Sequence, residues 1–173
     1  MTPSTPNARR NATLTASAAI FMVWGALMAL AGGLGAGAVA AFMGERFIFM
    51  SSRADAMLFG RPVAQLYAAD PALRQTVEIY MTMLSAALGA MGIAVTSLAW
   101  FGLRRGSRGA LVGLSLTPVP FVAWFLAVAM RYHAAGADVG FADVPPFVWL
   151  GAVVGLAGGL LGWKGLRDAR GAG

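Results

Sequence analysis

Long apolar runs alternate with short polar ones along this chain, and the runs set its predicted elements. They cover 16–43, 77–103, 110–130 and 146–163, with Glu78 as their single charge. About 20 such residues in a helix cross the hydrocarbon core of a bilayer. The predicted fold class is therefore all-α: a polytopic membrane protein with four transmembrane helices in a compact bundle. The second run ends in the basic turn Leu103-Arg104-Arg105-Gly106-Ser107-Arg108-Gly109, where a hairpin must form. The third is interrupted by Thr117-Pro118-Val119-Pro120. Each proline there removes an intrahelical hydrogen bond and crowds the preceding turn, so in lipid the freed carbonyls need other partners, such as the hydroxyls of Ser115 and Thr117. The fourth run, from Pro146 to Trp163, is near the lower length for spanning.

The polar stretches read as tails and connections. Residues 1–15 and 164–173 are predicted as cytoplasmic tails, with Met1–Asn11 disordered. A cleaved signal peptide is the rival reading of the N-terminus, with Arg9-Arg10 as its charged region and Ala38-Val39-Ala40 as the cleavage site. The apolar run is far longer than the roughly 7–15 residues of a signal core, which favours a retained span. Residues 44–75 interleave Arg53, Asp55 and Arg61 with Phe49, Met57, Phe59 and Tyr67. That mixture predicts a segment lying on the membrane surface, with a short helix over 62–69. Asp70-Pro71 then predicts a helix start, because a carboxylate caps free backbone N–H groups and proline suits the first helical position.

Composition agrees with this class. The chain is 12% charged, about half the share of an ordinary soluble domain, and its mean hydropathy is +0.70. In a soluble protein the net charge of +6 would suggest a nucleic-acid partner; here the cations cluster at the ends of the runs, and none is predicted. With both termini cytoplasmic, Arg9, Arg10, Arg104, Arg105, Arg108, Lys164, Arg167 and Arg170 lie inside against Asp168 alone, a balance of +7. Five arginines and six carboxylates, a balance of −1, remain outside. Arginine and lysine enrichment marks cytoplasmic loops, so both termini are placed inside, in the inner membrane of a bacterium. Cysteine is absent, which excludes disulfides, thiolate metal sites and thiol catalysis.

Small residues recur at helical spacing on three of the four runs. The seams are Gly25, Ala29, Gly32 and Ala36; Thr82, Ser85, Gly89, Gly92 and Thr96; and Gly151, Gly155, Gly158 and Gly162. Small residues let helix backbones approach, which matters where lipid supplies no hydrophobic push between helices. A tight bundle is expected.

Candidates for chemistry are few. His133, the sole histidine, could join Asp138 and Asp143 in a metal or pH-sensing site, but too few ligands accompany it and an ordinary loop histidine is the plainer reading. Glu78, near the outer boundary of the second span, is either a proton or cation site or an interfacial partner of Arg74 or Arg131. The kink at Pro118 and Pro120 either packs tightly or opens a cavity for a quinone or lipid. No catalytic signature is present.

Two motifs carry a family resemblance: Asp70-Pro71-Ala72-Leu73-Arg74 before the glycine-rich second helix, and Phe101-Gly102-Leu103-Arg104-Arg105-Gly106-Ser107-Arg108-Gly109-Ala110 leading into the third. Between about Gly44 and Tyr132 the chain resembles the DoxX-like group of small bacterial four-helix membrane proteins and their relatives. Many of these have tryptophan after the last basic residue of the turn, where this chain has Gly109. The resemblance implies an inner-membrane protein, with some members attached to quinone-linked oxidoreductases, and it carries over no catalytic residue. The expected function is that of a non-enzymatic accessory or structural subunit, packing against other membrane-protein subunits or itself within membrane lipid. The alternative is a small carrier or quinone- or lipid-binding subunit of a membrane oxidoreductase, using the region of Pro118 and Pro120 with Glu78 as its titrating group.

Overall fold

The computed structural model describes residues 6–35 and 48–170, with side chains from 12 to 35 and 48 to 168. The end of the first predicted span, 36–43, and the small residue Ala36 lie outside the described residues. Those described are predominantly helical, with no strand among them. Four helices are long and apolar enough to cross a membrane: Ala12–Leu34, Pro71–Arg105, Arg108–Ala134 and Pro146–Asp168.

Helix α1 covers Pro6–Leu34, so helix replaces the predicted disordered tail from residue 6 onward. Proline at the first position has no N–H to lose, and the alanine and two arginines that follow favour helix. Gly35, at φ +85°, ends the helix in the left-handed region that only glycine enters freely. Helices α2 (Ser52–Phe59) and α3 (Val63–Ala69) form a short pair above the bundle. Ser51 starts α2 by accepting the Ala54 N–H at 3.0 Å. Helix α4 runs Pro71–Ser97, and the Asp70 carboxylate accepts the N–H groups of Ala72 and Leu73 at 3.0 and 3.1 Å, the start that Asp70-Pro71 predicts.

At its far end α4 widens into a π turn, Leu98–Gly102, then tightens into a 3₁₀ turn, Leu103–Arg105, that closes on Gly106 at φ +76°. Ser107 caps α5, Arg108–Leu116, by accepting from the Ala110 N–H at 3.2 Å. Helix α6 is Pro118–Ala134. Thr117 between them keeps helical angles (φ −51°, ψ −41°), so the helical path continues through the proline pair. The Thr117 hydroxyl donates at 2.9 Å to the carbonyl of Gly113, which already accepts the Thr117 N–H. The Ser115 hydroxyl is buried without a partner among the described residues, so neither serves the carbonyls of Leu114 and Leu116 that the prolines free. Helix α7, Pro146–Arg170, continues beyond the predicted end at Trp163. Leu166 explains the extension: it is buried in the bundle core and holds the last turns against it.

The pairing of α1 with α4 is the most extensive, followed by α1 with α7. A Cβ placed on Gly25 would lie 2.5 Å from Thr96 Oγ1 and 2.7 Å from the Gly92 carbonyl oxygen; one on Gly32 would meet the Gly89 backbone and, at 2.6 Å, the Ser85 carbonyl. Here two backbones touch, as the seams of the first and second runs predict. The fourth-run seam works differently. Its glycines receive side chains: Gly158 sits against the Phe21 ring, Gly151 against Trp24, Gly155 against Pro118, and Gly162 against Leu111 and Ser17. The Ser17 hydroxyl also donates to the carbonyl of Gly158 at 2.6 Å.

These contacts make neighbours antiparallel and divide the molecule into two ends. One carries the hairpin 103–109 and the last turns of α7 (the basic end); the other carries α2, α3 and residues 135–145 (the loop end). The largest cluster, including Phe21, Val95, Leu103, Leu114 and Leu166, lies towards the basic end. Two smaller ones, around Leu66 and Met81 and around Met50 and Tyr132, seat the loop end. Leucine, isoleucine, methionine and tryptophan stay exposed around the spans, among them Leu30, Met83, Trp124 and Leu156, each more than 60% exposed. Water would not tolerate that belt on a monomer; lipid does. The chain is a multi-pass membrane protein.

Candidate functional site

The loop end holds the only charged side chains that are buried among the described residues, Asp55 and Asp143. Asp55 is wholly buried. Its Oδ2 accepts the backbone N–H groups of Ile48 and Phe49, the latter at 3.2 Å, and its Oδ1 accepts the hydroxyl of Tyr132. All three partners are donors, so both oxygens serve as acceptors. The arrangement ties the chain entering α2 to the last turn of α6, 77 residues away in sequence.

Asp143 makes the second tie. Its Oδ1 accepts from the Ser51 hydroxyl at 2.8 Å and from Arg53 Nε at 3.2 Å; its Oδ2 accepts from Arg53 Nη2 at 2.9 Å and from the Gly140 N–H at 2.9 Å. The two-pronged guanidinium contact is the strong form of an ion pair. The Arg53 hydrogen bond, supported by Gly140 and Ser51 and opposed by burial, pulls the Asp143 carboxyl down to about 2 from the usual 3.8. Arg53 is shifted upward by the same bond. Arg53 also donates to the backbone carbonyl of Asp138 at 3.1 Å.

The predicted candidates fall into place differently. Asp143 spends both oxygens on Arg53, Ser51 and Gly140, while His133 and the Asp138 residue are exposed. The structure does not join them: no group of three or more His, Cys, Asp or Glu comes together among the described residues. Glu78 is 62% exposed and accepts from Arg74 Nε at 2.8 Å, one turn back on α4. It faces out of the bundle, in the interfacial pairing that was the plainer expectation. Pro118 fills the space over Gly155, whose Cβ would lie 2.6 Å from its ring, and Pro120 is exposed. Of the two expectations for the kink, the packed one describes Pro118, which lies against Gly155. A groove of about 650 Å³ opens between α1 and α4, lined by Ala26, Leu30, Gly33, Ile93 and Thr96, and no charged side chain among the described residues lines it.

Sequence reasoning missed Asp55 and Tyr132. Nothing marks Asp55 out from its neighbours Arg53 and Arg61 in a stretch whose charges read as surface charges. Comparison with family models, with curated proteins and with solved structures finds no match. The DoxX-like resemblance thus rests on its two motifs alone.

Proposed function

We propose that this is a non-enzymatic accessory or structural subunit of a larger membrane assembly, or of a homo-oligomer, with its third span as the partner-facing helix. The observation that supports this is the uneven burial of the spans. Only 11% of the apolar window in Arg108–Ala134 is buried within the chain, against 33% for the first span, 22% for the second and 28% for the fourth. Val119, Trp124, Leu126 and Met130 are left on the open side of α6. Association between membrane helices is driven by packing, and a span with few intramolecular contacts retains the most surface for it. The paired carboxyl groups fit the same reading: Asp55 and Asp143 brace the loops and Glu78 is held by Arg74 on the surface. Cytoplasmic termini, a bacterial inner-membrane location and kinship with the DoxX-like group belong to this proposal, on the charge asymmetry and the two motifs.

The test is capture in mild detergent combined with site-specific crosslinking. A photo-crosslinker at Trp124 is expected to trap one protein partner, or a second copy, while one at Leu156 on α7 traps lipid. Equal trapping of protein at both positions, or of lipid alone at both, would remove α6 as the contact helix.

A further inference from the structure

We propose that the basic end of the bundle binds the phosphate of an anionic phospholipid. This inference rests on the membrane-spanning fold and not on the accessory-subunit reading.

Among the described residues five exposed cations meet at this end: Arg104, Arg105 and Arg108 in the hairpin, and Lys164 and Arg167 in the last turns of α7. Tertiary packing brings the two groups together. A Cβ on Gly106 would lie 3.8 Å from the side chain of Leu166, while Leu103 and Leu166 are buried beneath. The ion pairs among the described residues, Arg53–Asp143 and Arg74–Glu78, are both at the loop end. Among the described residues Asp168 is the one carboxylate at the basic end, and it forms no ion pair with any of the five. Setting topology requires only that cations be on one side of the membrane; it does not require separate elements to bring five of them together beside a single carboxylate. Like charges held at short range repel, and a bound anion offsets that repulsion.

The depth of the site selects a lipid. The Arg104 guanidinium lies over the Trp100 ring, 4.1 Å from its centre, which fixes one cation beside an indole. Trp100 and Trp163 are 48% and 55% exposed, and tryptophan belongs at the headgroup level of a membrane. The cations follow these rings by one to eight residues in sequence, on the side away from the apolar runs, which suits them to the depth of lipid phosphates. A zwitterionic headgroup would bring its own ammonium into a region with a single carboxylate to receive it. A phosphodiester without an attached cation, as in phosphatidylglycerol, fits the charge.

The experiment offers the full-length protein in mild detergent an equal mixture of phosphatidylglycerol and phosphatidylcholine and reads retained lipid by native mass spectrometry. The expected preference for phosphatidylglycerol is about fivefold or more, the contribution of one or more basic residues near an anionic headgroup. The triple variant Arg104→Gln, Arg105→Gln, Arg108→Gln should bring the ratio close to one. The double variant Lys164→Gln, Arg167→Gln, which leaves the hairpin untouched and decides the matter if the triple variant misfolds, should lower it part of the way. Arg61→Gln with Arg131→Gln, at the loop end, should leave it unchanged. A wild-type ratio near one, an equal loss in the loop-end control, or no loss in either basic-end variant overturns the proposal. Displacement of the lipid by millimolar inorganic phosphate would also overturn it, by showing a free-anion site.

Discussion

The two ends of the bundle treat charge in opposite ways. At the loop end two carboxyl groups are taken out of solvent, and each is given donors from distant parts of the chain. At the basic end five cations stay exposed, and among the described residues none forms an ion pair with Asp168, the carboxylate beside them. Burying a charged or polar group is costly unless its partners are in place, so the loop end has one low-energy arrangement and acts as a brace. The exposed cations at the other end keep their hydration and remain free to meet something outside the chain. Charge in this protein builds structure at one end and is available for contact at the other.

The sharpest way to break this comparison is to ask which end faces the cytoplasm. A cysteine replacing Gly109, where a side chain would meet nothing closer than 3.9 Å, and one replacing exposed Ala135 report on the two ends in a chain otherwise free of cysteine. Impermeant thiol reagents added to intact cells are expected to label Ala135→Cys and to spare Gly109→Cys. The reverse pattern would invert the assignment drawn from the +7 against −1 charge balance.

The next largest effect is expected at Asp55. Asp55→Ala leaves the Tyr132 hydroxyl and two backbone N–H groups without their acceptor in a buried place. Stranded donors cost about 1–3 kcal/mol each when buried; with water entering the site, about 3 kcal/mol in all is expected. Tyr132→Phe strands Asp55 Oδ1 while Oδ2 keeps both its donors, for a loss of about 1–2 kcal/mol. Hydrogen exchange should show faster exchange confined to 48–69 and 132–143, with the α1–α4 contact unchanged. Loss of protection throughout the bundle would mean that the loop end is part of the main core and not a separate brace.

Acid should loosen the second tie. The Asp143 carboxyl, held at about 2 by Arg53, has a folded value below its ordinary one. Its contribution is therefore fully present above about pH 4 and lost as pH falls towards 2. Exchange in 138–144, measured across that window, should accelerate in the wild type, and the step should shift to higher pH and shrink in Arg53→Gln. Identical profiles for the two proteins would show that the Arg53–Asp143 pair does not hold the loop.

The elements legible from sequence were those set by local or periodic rules. Four apolar runs give four span-length helices, and Asp70-Pro71 marks the start of α4 because a cap needs only its own next three residues. The glycine seams were legible as small faces, but what each would meet was not: Gly32 meets the Gly89 backbone, whereas Gly158 meets the Phe21 ring. That difference depends on how far apart the helices settle. An apolar run marks a membrane span and not the full helix that carries it, so neither the start of α1 at Pro6 nor the extension of α7 past Trp163 follows from the runs. Arginine and lysine are good helix formers, and Leu166 supplies packing beyond the apolar run. Asp55 was invisible because its partner is 77 residues away. Buried and surface carboxylates look alike in an amphipathic stretch until the topology brings a tyrosine over one of them.

The smallest effect is expected at Glu78, which sits at the loop end yet shares none of its burial. Its carboxylate is 62% exposed and is held by Arg74 on the same helix face. Exposed pairs one turn apart contribute little, and much of that is screened by salt. Glu78→Gln should therefore leave folding, partner capture and the exchange pattern of 48–69 indistinguishable from the wild type. A carrier would behave otherwise, because it needs a group that changes charge during its cycle and glutamine cannot do so. Proteoliposomes containing wild type or Glu78→Gln, assayed for proton-coupled uptake and quinone-dependent electron transfer across a pH range, separate the two readings. PH-dependent activity in the wild type that disappears in a folded Glu78→Gln protein would replace the accessory-subunit proposal with the carrier alternative. Absence of such activity in both is the expected outcome: Glu78 points out of the bundle, and no other carboxylate stands within α4 to pass a proton inward.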